Sequence, residues 1–324
     1  MTALAASPGR SNLQRFLNGY GQEIVVLLSI IALFVVVGAI NPRFLSNTNI
    51  NSIFAGNAYI AIAAIGMSMI IIAGHIDVSV GALIGVIATI AGTLAVNGYP
   101  IWMAWTVPIL FAVVVNAGVG ALVAYTRIPS IVVTLGMLSI LKGGLISATA
   151  GEWITNMPPE FMIAQMRPFG IPSAVYFMVG LTIAAALFMR YTDFGRAIYA
   201  VGGNMEAARA AGINPERTVV GVFALHGLFA GIAGILFATQ LQVIQSTVPP
   251  NLELTVITAS VIGGVSILGG TGTVIGSTLA AILFACIGSA LIFLNVSAYW
   301  LRAVLGLMIL ATVLADMARR RRAK

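Results

Sequence analysis

The chain has 324 residues, of which 60% are hydrophobic and 8% are charged, and its mean hydropathy is +1.04. Because an ordinary soluble domain has about 25% charged residues, this composition excludes a soluble globular protein and predicts a single membrane domain. The net charge of +7 does not indicate nucleic acid, since the basic residues lie between apolar segments without interleaved aromatic side chains that stack on bases. The single cysteine, Cys286, excludes a disulfide or a multi-cysteine metal site within the chain.

Apolar segments follow one another along almost the whole chain. A helix of about 17–25 apolar residues can cross the roughly 30 Å of bilayer hydrocarbon. Glycine-rich turns separate the second span from the third and the eighth from the ninth, so a broken or re-entrant helix is an alternative at either place. We predict an all-α polytopic membrane protein with about ten transmembrane helices, at residues 23–40, 54–73, 76–96, 101–125, 131–147, 174–190, 218–240, 252–268, 271–294 and 298–317.

The distribution of basic residues predicts the orientation of these spans. Lysine and arginine in short loops stay on the cytoplasmic side. With the N terminus inside, Arg43, Arg167 and Arg302 lie in outer loops, Lys142 lies within a span, and the other basic residues lie inside. Both termini are therefore predicted to be cytoplasmic, which requires an even number of spans. The predicted organisation is a cytoplasmic tail at 1–22, a single transmembrane domain at 23–317 and a basic cytoplasmic tail at 318–324.

The longest predicted cytoplasmic loop, 191–217, carries the signals of a short capped helix. Asn204 is a favourable N-cap, and Glu206 lies in the first turn, where a negative charge is stabilised. Arg209 lies near the other end, and Gly212 provides a left-handed stop. A helix this short is not stable on its own. It needs a membrane face or a protein groove to dock on, unless the segment is only an ordered loop.

Four motifs, taken in order, resemble one family of membrane proteins. The motifs are Gly74-His75-Ile76-Asp77-Val78-Ser79-Val80-Gly81, Arg127-Ile128-Pro129 with Val133-Thr134-Leu135-Gly136, the loop motif from Gly203 to Gly212, and the glycine-rich run from Gly263 to Gly276. The resemblance is to the permeases of bacterial ATP-binding-cassette (ABC) importers for monosaccharides, which include the ribose, galactose, xylose, rhamnose and autoinducer-2 systems. The chain departs from the family pattern at His75, where glycine is frequent, and at Val119, where asparagine is usual.

The resemblance implies a permease subunit that forms the translocation path for a sugar or sugar-like solute in the bacterial inner (plasma) membrane. The implied partners are a cytoplasmic ABC ATPase, a second permease copy or a paralogue, a periplasmic solute-binding protein and membrane lipid. ATP and Mg²⁺ would be used by the ATPase, because this chain has no Gly-x-x-x-x-Gly-Lys-Ser/Thr loop and is expected to be neither an enzyme nor a cofactor-binding protein. The implied ATPase-coupling helix comprises Gly203, Asn204, Met205, Glu206, Ala207, Ala208, Arg209 and Gly212.

A second candidate site lies at the turn between the second and third spans. Charged groups between apolar spans are costly and usually face the protein interior or a water-filled path. Asp77 is therefore a candidate inner gate or a brace for the turn, with the alternative that its carboxylate caps the helix of the third span. His75 is better explained as an interfacial side chain than as a metal ligand, and no metal is expected. The gate or turn residues are Gly74, His75, Asp77, Ser79 and Gly81.

A path for sugars needs neutral hydroxyl and amide groups, because a tightly binding charged site would hinder release. Side chains of this kind occur in several spans, although most of them could instead form hydrogen bonds between helices. The main candidates are Asn57, Ser68, Asn116, Thr134 and Thr258, followed by Ser139, Gln240, Thr255 and Ser260.

The outer segment 148–173 contains Trp153, Phe161 and four prolines and is too long for a simple turn. It fits a docking surface for the binding protein or an interfacial loop with an aromatic anchor. Its Gly151-Glu152-Trp153-Ile154 stretch resembles rhamnose and autoinducer-2 permeases, so rhamnose, a pentose and autoinducer-2 are candidate solutes. The alternative function is an ion-coupled secondary transporter, although Asp77 and Glu253 are nearly the only carboxylates near the spans.

Overall fold

The computed structural model of the chain is built from helices joined by short loops. It describes residues 12–240, 243–245, 249–297, 299–301, 303–308, 310, 311 and 314, with side chains from residue 21 onward. In this part of the chain, extended pairing is limited to one antiparallel bridge between Ile154 and Ile244. The helices are α1 (Asn12–Ile40), α2 (Asn47–Gly56), α3 (Ala58–Ile72), α4 (Val80–Val96), α5 (Ile101–Thr126), α6 (Ser130–Thr149), α7 (Ser173–Tyr191), α8 (Asp193–Gly203), α9 (Met205–Ala210), α10 (Pro215–Gln240), α11 (Leu252–Ile262) and α12 (Val274–Phe293).

Seven helical stretches among the described residues are long and apolar enough to cross a membrane, which confirms the all-helical membrane class. Two predicted spans correspond to the shorter apolar helices α4 and α11. The predicted tenth span, 298–317, lies partly outside the described residues. The predicted tail 318–324 and residues 1–11 of the N-terminal tail lie wholly outside them. The count of ten and the cytoplasmic position of both termini stay predictions. The seven stretches are Gly21–Ile40, Asn47–Ile72, Ile101–Thr126, Ser130–Thr149, Ser173–Tyr191, Pro215–Gln240 and Val274–Phe293.

Two predicted spans are interrupted. The predicted helical start of the third span at residue 76 is wrong, because Gly74 has a φ of +88° that ends α3, and α4 begins only at Val80. The second span is divided at Asn57, whose φ of −119° separates α2 from α3 and whose amide donates to the Ile53 carbonyl at 3.3 Å. The structure therefore adopts the alternative of a broken helix between the second and third spans.

Two turns of the same design end α3 and α11. Gly74 and Gly264 have left-handed φ values of +88° and +96°. In both turns the N–H of the next residue donates to the carbonyl five residues earlier, at 3.0 Å and 3.1 Å. This Schellman arrangement satisfies carbonyls at the helix end and turns the chain away from the helix axis. The predicted eighth span, 252–268, consequently ends as a helix at Ile262.

Helix α10 occupies the centre of the bundle and packs against α3, α4 and α5. Glycines on its surface allow the neighbouring backbones to come close. A Cβ atom at Gly227 would lie 2.5 Å from the Ala112 carbonyl oxygen, and one at Gly231 would lie 2.9 Å from the Ile109 Cα. Small residues at a four-residue spacing are the usual means of close helix packing in membranes.

We expect Gly227→Ala to destabilise the protein by about 1–3 kcal/mol, because the added methyl group must displace the backbone of α5. Gly180→Ala is the matched control, since nothing lies within 4 Å of a Cβ at this position on α7. Its effect should be neutral or stabilising by up to about 1 kcal/mol through helix propensity. Thermal unfolding of both purified variants in one detergent measures the difference. Equal unfolding midpoints would contradict the close packing of α5 on α10.

Candidate translocation and coupling site

The predicted cytoplasmic loop folds into α8 and α9. Thr192 caps α8 by accepting a hydrogen bond from the N–H of Gly195 at 3.0 Å. Asn204 caps α9 in the same way, with the N–H of Ala207 as donor at 3.0 Å. Gly212, with a φ of +86°, follows α9 as its left-handed stop. The short capped helix is therefore present, and its contact with an ATPase stays a prediction.

The side chains of α9 face two directions. Ala208 is buried in the chain's own core, whereas Asn204 and Ala207 are exposed. Arg209 donates a hydrogen bond to Glu216 at 2.6 Å, and this carboxylate raises the pKa of the arginine. The interaction ties α9 to the start of α10. Of the predicted coupling residues, Ala208 therefore packs α9 against the core of the chain, while Ala207 is available to a partner.

Five glycines bring three distant segments of the chain into backbone contact. A methyl group at Gly202 would overlap the carbonyl oxygen of Ile72, and the N–H of Gly270 donates to the same oxygen at 2.8 Å. A Cβ atom at Gly269 would lie 2.8 Å from the Gly202 oxygen and 3.0 Å from the Gly74 Cα. The end of α3, the end of α8 and the loop before α12 are thus held together without side chains. We refer to Gly74, Gly202, Gly203, Gly269 and Gly270 as the glycine junction.

Residues 75–79 form a non-helical segment that α6 holds along one side. Ser130 accepts a hydrogen bond from the N–H of Ile76 at 3.1 Å, and Thr134 accepts one from the N–H of Val78 at 3.1 Å. Hydroxyls four residues apart on a helix are separated by about 6 Å along the axis, close to the roughly 6.6 Å between alternate residues of an extended chain. The sequence predicts that Thr134 lines a solute path, whereas it predicts no role for Ser130.

Asp77 is completely buried at the centre of this segment. Its Oδ1 accepts hydrogen bonds from the Ser79 N–H at 2.7 Å and from the Ser79 hydroxyl at 2.6 Å. The carboxylate therefore braces the turn before α4, and Ser79 itself is the N-cap residue. The other oxygen, Oδ2, lies 3.5 Å from Nε2 of His226, which is also completely buried.

His226 is the residue that faces Asp77, a contact that no pattern in the sequence indicated. The two residues meet because α10 packs closely on α3, where a Cβ atom at Gly66 would lie 2.6 Å from Nδ1 of His226. The contact between Asp77 and His226 does not meet hydrogen-bond geometry, and Oδ2 of Asp77 and both ring nitrogens of His226 have no hydrogen-bond partner among the described atoms. Among the described residues, no group of three or more His, Cys, Asp or Glu is placed to hold a metal ion.

A cavity of about 870 Å³ opens between these elements at the predicted cytoplasmic end. The turn at Gly74 and His75 forms one wall, and the α5–α6 connection at Arg127 forms another. Glu206 and Arg209 of α9 also line the cavity. His75 lines the cavity, and burial lowers the pKa of its imidazole. The cavity therefore connects the candidate coupling helix with the candidate gate.

Of the remaining predicted path residues, Ser68, Asn116, Thr258 and Ser260 are buried inside the helix bundle. Asn57, Gln240 and Thr255 are partly buried, and Ser139 is exposed on α6. Ser68 donates a hydrogen bond to the Ser277 hydroxyl at 2.6 Å, and Thr258 donates to the Leu254 carbonyl at 2.5 Å. Asn116 is completely buried, and its amide has no hydrogen-bond partner among the described atoms. The alternative of a hydrogen bond between helices fits Ser68, whereas Thr258 bonds within its own helix. A path role for these residues stays a prediction, with the unpartnered Asn116 its strongest candidate.

The predicted outer loop between α6 and α7 packs against the loop that follows α10. Ile154 and Ile244 exchange two backbone hydrogen bonds of 2.9 Å each. Phe161 is completely buried, whereas Trp153 is 60% exposed and Phe169 is 98% exposed. The buried side anchors the loop, and the exposed aromatic side chains remain available to the bilayer interface or to a partner.

Similarity to known proteins extends over most of the chain. Residues 49–313 match the family described as "Branched-chain amino acid transport system / permease component". The autoinducer 2 import system permease protein LsrC of Salmonella typhi is 35% identical over 296 residues, which are 91% of this chain and 85% of that protein. The corresponding proteins of Escherichia coli O9:H4 and Shigella flexneri are 33% and 34% identical, again over 91% of this chain and over 86% of their own length.

No solved structure matches the chain. The family match nevertheless includes every element of the site, from the turn at Asp77 through the glycine junction to α9. The similarity to the LsrC proteins covers nearly their whole length, so it is not confined to a shared motif. The chain therefore belongs to this family of transport-system permease components.

Proposed function

We propose that this chain is the permease subunit of an ABC importer that carries a sugar-like solute across the bacterial inner membrane. Family membership supports the permease function. The observation that carries the proposal is the continuous backbone link from α9 through the glycine junction to the broken span at 73–79. In the proposed importer, a separate cytoplasmic subunit hydrolyses ATP with Mg²⁺, a periplasmic binding protein delivers the solute, and a second permease copy or a paralogue completes the path.

Through this link, a movement driven by ATP hydrolysis would reach the membrane-spanning helices. Asn204 joins α8 directly to α9, so a partner that moves α9 also moves the last turn of α8. Gly202 in that turn touches the carbonyl of Ile72, the last residue of α3. The chain then continues into the segment that holds Asp77 against α10. A displacement of α9 would shift this segment relative to α6 and α10 and switch the access of the path.

Replacing Ala207 by lysine should uncouple ATP hydrolysis from transport without unfolding the protein. The exposed Ala207 points away from the buried Ala208, so a lysine there leaves the core intact and blocks close approach of a partner. In proteoliposomes with the ATPase and the binding protein, we expect uptake and solute-stimulated ATP hydrolysis to fall by about tenfold, the equivalent of about 1.4 kcal/mol. Ala207→Ser, which stays small, should retain both. Normal uptake by a correctly assembled A207K importer would remove α9 from the mechanism.

The exposed face of α6 supports the presence of a second permease copy. Only 17% of the most apolar window of this helix is buried, the smallest share among the seven described spans. Lys142 is exposed within it, beside a stripe of small residues at Ser139, Gly143 and Ser147. A lysine at the bilayer centre costs about 2.5–3.5 kcal/mol, and small residues four apart let helices approach closely. In the proposed importer this face lies against the second copy, with Lys142 directed towards the water-filled path.

Lys142→Leu should therefore reduce uptake by about tenfold, or about 1.4 kcal/mol in the transport barrier, while Lys142→Arg should keep most of the activity. If α6 faced lipid instead, leucine would stabilise the protein by up to about 3 kcal/mol and leave uptake unchanged. Uptake and thermal unfolding, measured on the same preparations, separate the two arrangements.

We propose autoinducer-2 as the solute, with rhamnose and a pentose as alternatives. The nearly full-length similarity to proteins named as autoinducer-2 import permeases supports this choice. The family description also covers branched-chain amino acids, whose charged ammonium and carboxylate groups would require charged partners. Hydroxyls and amides such as Asn116, Thr134 and Thr239 predominate among the buried polar side chains. This composition suits a hydroxyl-rich solute better than a zwitterion.

Titration calorimetry on the binding protein encoded beside this permease tests the solute. We expect autoinducer-2 to bind with a dissociation constant of about 1 μM or lower, equivalent to about 8 kcal/mol, and leucine not to bind. Uptake of leucine by the reconstituted importer would contradict a sugar-like solute. If the neighbouring genes encode neither an ATPase nor a binding protein, an ion-coupled secondary transporter becomes the better explanation.

A further inference from the structure

A groove of about 630 Å³ runs along α7 at the predicted cytoplasmic end, bounded by α8 and the start of α12. Its deeper part is apolar and open, since Ile183 and Leu187 are 54% and 52% exposed. Its outer part carries two basic side chains, Arg190 and Arg196. The groove is separate from the cavity beside α9, with which it shares no lining residue.

The two arginines are available to an anion. Among the described residues, no carboxylate lies within salt-bridge distance of Arg190, whose guanidinium carbon is 5.4 Å from the centroid of the Tyr191 ring. Arg196 forms an ion pair with Asp193 and donates a hydrogen bond of 3.2 Å to the carbonyl of Tyr191, but the side chains of Arg196 and Asp193 are 59% and 98% exposed. Such exposed pairs contribute little, so the Arg196 guanidinium can turn to another partner.

The order of apolar and basic groups matches one leaflet of a bilayer. Residues 182–190 of α7 cover about 12 Å of helix axis, against about 15 Å for half of the hydrocarbon core. The basic side chains lie at the predicted cytoplasmic end, and the aliphatic ones lie deeper. A glycerophospholipid has the same order, with its phosphate outside its acyl chains. Basic pockets between spanning helices on the cytoplasmic side are typical sites for anionic headgroups.

We propose that this groove binds an anionic phospholipid of the cytoplasmic leaflet, with its phosphate on Arg190 and Arg196 and one acyl chain along Ile183 and Leu187. The site adjoins the coupling elements. Tyr199 of α8 lines the groove, and its hydroxyl donates a hydrogen bond of 2.8 Å to the carbonyl of Gly272, in the loop that carries part of the glycine junction. The bound lipid would therefore contact the helix that carries α9, whichever solute is transported.

Native mass spectrometry of the full chain, released from nanodiscs of phosphatidylcholine with a minor share of phosphatidylglycerol, tests this site. We expect retention of phosphatidylglycerol to fall about fivefold for each of R190Q and R196Q, because one arginine near an anionic surface contributes about 1 kcal/mol. Arg217→Gln removes an exposed arginine at the same end but outside the groove and should leave retention unchanged. Phosphatidylcholine retention should be the same in all variants.

Ala186→Trp tests the groove independently of charge, because the indole would fill its apolar part. We expect loss of bound phosphatidylglycerol from this variant at an unchanged elution volume in size exclusion. Retention by the R190Q/R196Q double variant equal to that of the unmodified chain, or an equal loss in R217Q, would overturn the proposal. A shift of A186W from dimer to monomer with lipid retention intact would also overturn it, since a second copy would then occupy the groove. If A186W does not fold, the arginine variants still decide.

Discussion

The close approach of the Gly202 backbone to the carbonyl oxygen of Ile72 is the contact on which the rest of the site depends. The same oxygen accepts a hydrogen bond from Gly270 at 2.8 Å, so three segments meet at one peptide group. A side chain at position 202 would push α8 away from α3 and take α9 with it. Because the contact is between backbones, it has no rotatable side chain to absorb movement, and displacement of one segment passes directly to the others.

The positions of several polar groups within the bundle follow from this backbone contact. The glycine turn after α3 sends an irregular segment back into the bundle, and irregular backbone at membrane depth is tolerated only where protein or water satisfies it. Ser130 and Thr134 accept hydrogen bonds from two of its N–H groups. The buried Asp77 then faces His226, whose Nε2 lies 3.5 Å from the carboxylate. The broken helix, the two hydroxyls and the histidine form one structural unit.

The parts of this site that depend only on residues close together in the sequence could be predicted. Asn204 and Gly212 act through hydrogen bonds and dihedral angles within one turn, so their types indicate the ends of α9. The pairing of Asp77 with His226 depends on how α10 packs, and residue types alone carry no such information. The start of α4 was misplaced because Ile76 and Val78 are apolar and continue the pattern of a span. Hydropathy carries no information on their backbone N–H groups, which donate hydrogen bonds to side chains of α6.

Hydropathy also cannot distinguish a helix buried within a membrane protein from one that faces the lipid. The stretches Asn47–Ile72 and Ser130–Thr149 are equally apolar, yet 78% of the first window and 17% of the second are buried within the chain. In water, exposure of an apolar face would itself indicate a missing partner, but lipid covers such a face without penalty. The informative residues on an uncovered helix are therefore the charged ones, because lipid does not accommodate them. Lys142 in α6 and Arg190 at the end of α7 carry that information here, the first within an apolar helix and the second in the last turn of one.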